Sequence, residues 1–96
     1  MIVNQTEIFR KWFDKIRDEI AKAVIFRRIE MIEKHENFGD AKPIGESVSE
    51  LRINYGPGYR LYYTVRGREV VILLCGGDKS GQRRDIEKAK KLCKEV

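Results

Sequence analysis

The sequence predicts an α+β fold in one domain, residues 1–96: two N-terminal helices packed on a twisted antiparallel sheet of three to four strands, plus a C-terminal helix. Two observations carry this. Apolar residues recur at helical spacing to about residue 36, alternate with polar ones from 48 to 66, and return to helical spacing after residue 82. At 96 residues the chain can form two or three layers around one core and no more. The helices are then expected on one sheet face, with the other left available.

Met1 to Gln5 form a short candidate edge strand. Thr6 reads as an N-cap with Glu7 in the first turn, where the helix dipole favours an acid. Phe9, Trp12, Phe13 and Ile16 give residues 7–17 one apolar face. A second helix restarts near Asp18 and runs to about Glu36, with Ala21, Val24, Ile25, Phe26, Ile29 and Ile32 on its apolar face. His35, the single histidine, stands at the end of this helix, where a base complements the dipole. Asn37, Gly39, Pro43 and Gly45 make residues 35–46 a loop.

Residues 48–54 put Leu51 and Ile53 on one face and Glu50, Arg52 and Asn54 on the other. "YGPG" then turns the chain into 59–66, where Tyr59, Leu61, Tyr63 and Val65 oppose Arg60, Tyr62, Thr64 and Arg66. Gly67 makes a tight turn, and the nearly continuous apolar run 69–76 marks a sheet centre. Residues 83–94 form the last helix, with Ile86, Ala89 and Cys93 aligned and Leu92 beside them.

The net charge of +5 points to nucleic acid, an acidic protein partner or an anionic membrane surface. No secretory segment and no run of about 18 apolar residues is present, so a soluble, cytoplasmic protein without a membrane partner is expected. Cys75 and Cys93 form no CxxC pair and read as free structural thiols. "GGDKSGQ" lacks the spacing of a Walker loop and the cysteines lack that of a zinc site, so no nucleotide triphosphate, other cofactor or metal is expected.

The polar strand face collects Glu50, Arg52, Asn54, Arg60, Tyr62, Thr64 and Arg66. Guanidinium forks bind phosphate oxygens and a tyrosine stacks on a base, which suits RNA. The same pattern also describes a solvated face with cross-strand pairs, such as Glu50 with a nearby arginine. A second polar cluster follows: Asp78, Lys79, Ser80, Gln82, Arg83, Arg84 and Asp85, beside a helix N-terminus. Ordinary capping by Asp78 or Ser80 is its plain reading.

"NFGDAKPIGESVSELRINYGPGYRLYYTV" followed by "LLCGGDKSGQRRDIEKAKKL" resembles the RelE/ParE toxin superfamily, and within it the HigB-like, phage-derived addiction-module killer proteins. The resemblance covers essentially the whole chain. It implies a RelE-like toxin of a type II toxin–antitoxin module that inhibits translation by ribosome-dependent cleavage of mRNA. It also implies a cognate helix-turn-helix antitoxin, with mRNA and the ribosome as further partners. The ParE-like branch instead inhibits gyrase, and a degenerate member would bind its antitoxin alone. Oligomeric state is left open.

Residue by residue, Arg52 matches a basic position before the "GYR" turn, Arg60 matches the arginine of that turn, and Lys79 matches a basic position after the strand–glycine segment. These three are the expected catalytic residues. Arg52, Asn54, Tyr62, Arg66, Lys79, Arg83 and Arg84 are the expected RNA contacts, and Asp85 the orienting acid. Glu50 stands where RelE-like chains carry lysine, and Asp85 lies near where they carry a C-terminal tyrosine. The implied reaction is metal-independent. A base takes a 2′-OH proton, the oxygen attacks the adjacent phosphate, and an acid protonates the leaving 5′-oxygen. Arg52 and Arg60 cradle the phosphorane, and Lys79 moves the proton.

Overall fold

A computed structural model describes residues 1–96. Strand β1 (Ile2–Gln5) leads into helices α1 (Glu7–Asp14) and α2 (Glu19–His35). Strands β2 (Ala41–Gly45), β3 (Val48–Ile53), β4 (Tyr59–Arg66) and β5 (Val70–Asp78) follow. A 3-10 turn (Lys79–Gly81) then opens helix α3 (Gln82–Glu95). No helix is long and apolar enough to cross a membrane.

The helix starts follow from their caps. The Phe9 N–H donates to Thr6 Oγ1 at 3.0 Å, and the Thr6 hydroxyl donates to the Leu74 carbonyl at 2.7 Å, so one side chain caps α1 and ties it to β5. Asp18 accepts from the Ile20 and Ala21 N–H groups and starts α2. That helix ends at Glu36, in the left-handed region at φ 52°, with Lys34 and His35 in its last turn. Helix α1 stops at Asp14, earlier than the expected 17, because the chain must turn before Asp18.

The α+β architecture is present, with three differences. The sheet has five strands, in the order β1-β5-β4-β3-β2. The fifth, β2, lies inside the expected loop 35–46. It is an edge strand, where Pro43 removes no hydrogen bond that a neighbour needs. Strand β1 pairs with β5 in parallel, so the sheet is mixed. The third difference concerns the faces. Helices α1 and α2 cover one, packing Phe9, Ile25 and Ile32 on Leu51, Ile53, Leu61, Tyr63, Val71 and Leu73. Helix α3 covers the other, where Ala89 and Cys93 meet Val48, Tyr62, Leu74 and Cys75. The face expected to be free is therefore an inner layer.

Both cysteines are free and buried, as their reading as structural thiols required. The Cys75 Sγ lies 3.7 Å from the Asp85 carbonyl on α3.

Candidate phosphate-binding cleft

The β3–β4 hairpin decides where the arginines go. Its register sets Arg52 directly opposite Arg60 and Glu50 opposite Tyr62. The turn is closed by the Gly58 N–H donating to the Tyr55 carbonyl at 3.1 Å. Gly58 holds φ +82°, a conformation costly for any other residue, and a Cβ there would stand 3.4 Å from the Lys79 Cβ. The Tyr55 hydroxyl donates to Asp18 at 3.2 Å and fastens the turn to α2. Tyr59 points to the other face and meets Trp12 edge-on at 6.2 Å.

Between this hairpin and the 3-10 turn lies a cleft of about 320 Å³, lined by Asp40, Arg52, Asn54, Gly58, Arg60 and Lys79 among others. Three cations face one carboxylate. Asp40 pairs with Arg52 at 3.2 Å in an exposed contact, worth at most about 1 kcal/mol. Lys79 is exposed and has no ion pair in the chain.

Arg60 differs from its neighbours. It is 8% exposed, and its Nε is buried without a hydrogen bond. Its nearest carboxylate is Glu50, with Nε–Oε2 at 3.8 Å, too long for a hydrogen bond. Glu50 itself is 0% exposed; its Oε2 accepts from the Tyr62 hydroxyl at 3.2 Å and from Gln82 Nε2 on α3 at 2.8 Å. Burial, then the charge of Glu50, pushes the Tyr62 hydroxyl well above its ordinary titration range, so it remains a donor to Glu50. Charge balance thus holds the guanidinium beneath α3, while its donors stay uncommitted within the chain.

Arg52, Asn54, Arg60 and Lys79 are brought together. The remaining sequence candidates are not with them. Tyr62 is 0% exposed, so it has no ring face for a base: the strand alternation placed it on the polar side, and α3 covers that side. Arg66 donates to the Cys93 carbonyl at 2.9 Å and the Val96 carbonyl at 3.2 Å, closing the end of α3. It lies about 20 Å along β4 from Arg60. Arg83 and Arg84 line a separate groove with Ser80, Gly81 and Glu87 at the start of α3. Asp85 has Arg84 as its ion-pair partner, at 3.9 Å, and makes no pair with Lys79. The plain reading of the polar face also holds in part, since Glu50 and Arg60 are a cross-strand pair.

Three contributors had no signal in the local pattern. Asp40, just before β2, pairs with Arg52 on the neighbouring strand β3. Gln82 reaches Glu50 from α3. Arg28 reaches from α2 to the carbonyls of Arg52 at 3.0 Å and Phe38 at 3.3 Å, bracing the start of the turn. No group of three His, Cys, Asp or Glu residues could hold a metal ion.

Residues 11–94 match the family model described as phage derived protein Gp49-like. An uncharacterized protein of Haemophilus influenzae is 44% identical over 94 residues, covering 98% of this chain and 94% of the relative. Among solved structures, the isolated E. coli RelE toxin superposes with a TM-score of 0.59 at 17% identity, over 91% of this chain and 96% of RelE. A chain of the intact E. coli RelBE toxin–antitoxin complex gives 0.59 at 18% identity, over 80% and 94%. HP0894, a conserved hypothetical protein of Helicobacter pylori, gives 0.54 at 26% identity, over 83% and 96%. The fold is thus that of RelE, as the sequence resemblance implied.

Proposed function

This chain belongs to the phage-derived Gp49-like family, and for it we propose the role of toxin in a type II toxin–antitoxin module, acting by cleavage of translated mRNA. The observation that carries this reading is Arg60: a guanidinium withdrawn from water, with no hydrogen bond at its Nε, beside Arg52 and Lys79 in one cleft. A buried cation that leaves donors unused is arranged for an anion that comes from outside. The RelE fold and the matched "GYR" arginine support the choice of an RNA phosphate as that anion.

In this mechanism Arg60 and Arg52 face each other across the hairpin and hold the non-bridging phosphate oxygens. Their charge is worth most on the dianionic phosphorane, so they stabilise the transition state more than the ground state. Lys79, free of ion pairs, moves the proton. Asn54 contacts the sugar–phosphate backbone, with Arg83 and Arg84 drawing the strand along the α3 start. The ribosome supplies the alignment of the 2′-oxygen with the phosphate. The site then works in the cytoplasm, and the same cationic cleft is the surface an antitoxin must cover. RelE occurs in a toxin–antitoxin complex, which supports a partner of that kind, here a helix-turn-helix protein.

Primer extension on translated mRNA after induction of the wild-type chain tests this. Discrete cuts within codons are expected. Intact mRNA with an induced SOS response would replace this reading with gyrase inhibition, and no toxicity at all would leave only antitoxin binding.

A further inference from the structure

A second cleft, of about 370 Å³, lies on the other side of the 3-10 turn from the arginines. Its floor is an unpaired strand edge. Strand β1 pairs with β5 only as far as Leu73, after which Thr6 turns the chain into α1. Beyond that point β5 has β4 on one side and no strand on the other. Alternate residues of an antiparallel pair turn their N–H and C=O groups outward. Gly76 and Gly77 make no backbone bond outside the ladder.

Two side chains close on this edge from opposite faces. A Cβ at Gly76 would stand 2.3 Å from the Trp12 ring, and one at Gly77 would stand 2.0 Å from Asp85 Oδ2. Only glycines allow both approaches. Asp85 is 8% exposed and lines the cleft, yet its carboxylate accepts no hydrogen bond. Arg84 is 3.9 Å away, and Lys88 also lines the cleft. The Arg84 ion pair is too long to be a hydrogen bond, so the carboxylate is balanced by charge and keeps its acceptor sites open to a donor from outside.

We propose that this cleft is a nucleobase subsite that selects guanine, with Asp85 accepting from the base and Arg84 and Lys88 holding its phosphate. The reason is donor geometry. Guanine carries N1–H and N2–H side by side on one edge, and a carboxylate offers two acceptors side by side. Adenine and cytosine offer one amino group there and uracil one ring N–H, so each leaves a carboxylate oxygen unsatisfied. Trp12 supplies the aromatic wall on which bases pack. The subsite rests on the reading of the chain as an RNA-binding toxin, with the arginine cleft taking the neighbouring phosphate.

Trp12 is the only tryptophan and lines this cleft, so its fluorescence reads binding there, and Arg60→Lys serves as the control for binding in the arginine cleft. The full chain is titrated with GMP, AMP, CMP, UMP and inorganic phosphate at fixed ionic strength. GMP is expected to bind at least tenfold tighter than the other three nucleotides, and Asp85→Asn to remove that preference. The variant is expected to fold, since the amide keeps the shape of the carboxylate and burial already disfavours the charged form, and its unfolding transition is measured alongside. Equal quenching by all four nucleotides and phosphate would overturn the proposal in favour of bare cation contacts. Quenching by an extended acidic peptide and not by GMP would overturn it in favour of strand addition at the β5 edge. A guanine preference in a chain that cuts no mRNA would sink the proposed function and leave the subsite standing.

Discussion

Leu61 and Tyr62 are neighbours in β4, both fully buried, and they serve different halves of the molecule. Leu61 faces α1 and α2, in a layer made of aliphatic and aromatic side chains. Tyr62 faces α3, in a layer that also holds Glu50, Arg60, Thr64 and Asp85. The first layer has the composition of an ordinary core and stabilises the fold by removing apolar surface from water. The second buries charge, leaves Glu50 Oε1 and Arg60 Nε without partners, and opens at one end into a cationic cleft. A small domain has little stability to spare, so orphaned polar groups in one layer and none in the other are what supports the proposal of a functional site on the α3 side.

The comparison breaks most visibly at Leu61. Leu61→Ala should cost about 2–5 kcal/mol, because it opens a cavity between rigid layers. Urea unfolding measures it, and a loss below 1 kcal/mol would mean that the α1–α2 face is not the main core. Tyr62→Phe sharpens the other side. It removes one hydrogen bond to the buried Glu50 carboxylate, at a cost of about 1.5–2 kcal/mol, with no change in packed volume. An unchanged midpoint would show that the Glu50 contact carries no energy.

A smaller effect comes from Cys75. Burial, with the charge of Asp85 adding to it, pushes this thiol up to about 12, against 9.0 when unfolded. From pH 9 upward the unfolded chain therefore releases a proton that the folded chain keeps. This contribution is complete below pH 9 and is lost as pH rises toward 12, at up to about 1.4 kcal/mol per pH unit. Cys75→Ala, compared with wild type under reducing conditions between pH 9 and 11, should fall less steeply. Parallel slopes would contradict the burial of the thiol.

Much of this was legible in the sequence because it is local. Thr6 and Asp18 cap helices through bonds that reach only two or three residues. The alternation of 59–66 separates Leu61 from Tyr62, and "YGPG" sets the register that faces Arg52 with Arg60. What failed depended on distant partners. Pro43 and Gly45 look like loop residues until an edge position makes them harmless. Alternating polarity normally signals a wet face, but here Glu50 accepts from Tyr62 and from Gln82 of α3 and offsets the charge of Arg60, so α3 covers that face although two atoms stay without a hydrogen bond. That cover was hard to foresee because the inner face of α3 is built of small groups such as Ala89 and Cys93. The cleft survived the error because Arg52, Asn54 and Lys79 lie at the end of the sheet, beyond the reach of the helix.

The account turns on Arg60 being retained for chemistry and not for packing, and Arg60→Lys tests this most directly. Lysine keeps a positive charge near Glu50 but lacks the planar fork. Cleavage of translated mRNA and the unfolding transition are measured on the same soluble variant. The account predicts cleavage lower by about 10²–10³-fold with cooperative unfolding retained. A folded Arg60→Lys chain that cuts mRNA at the wild-type rate would contradict it.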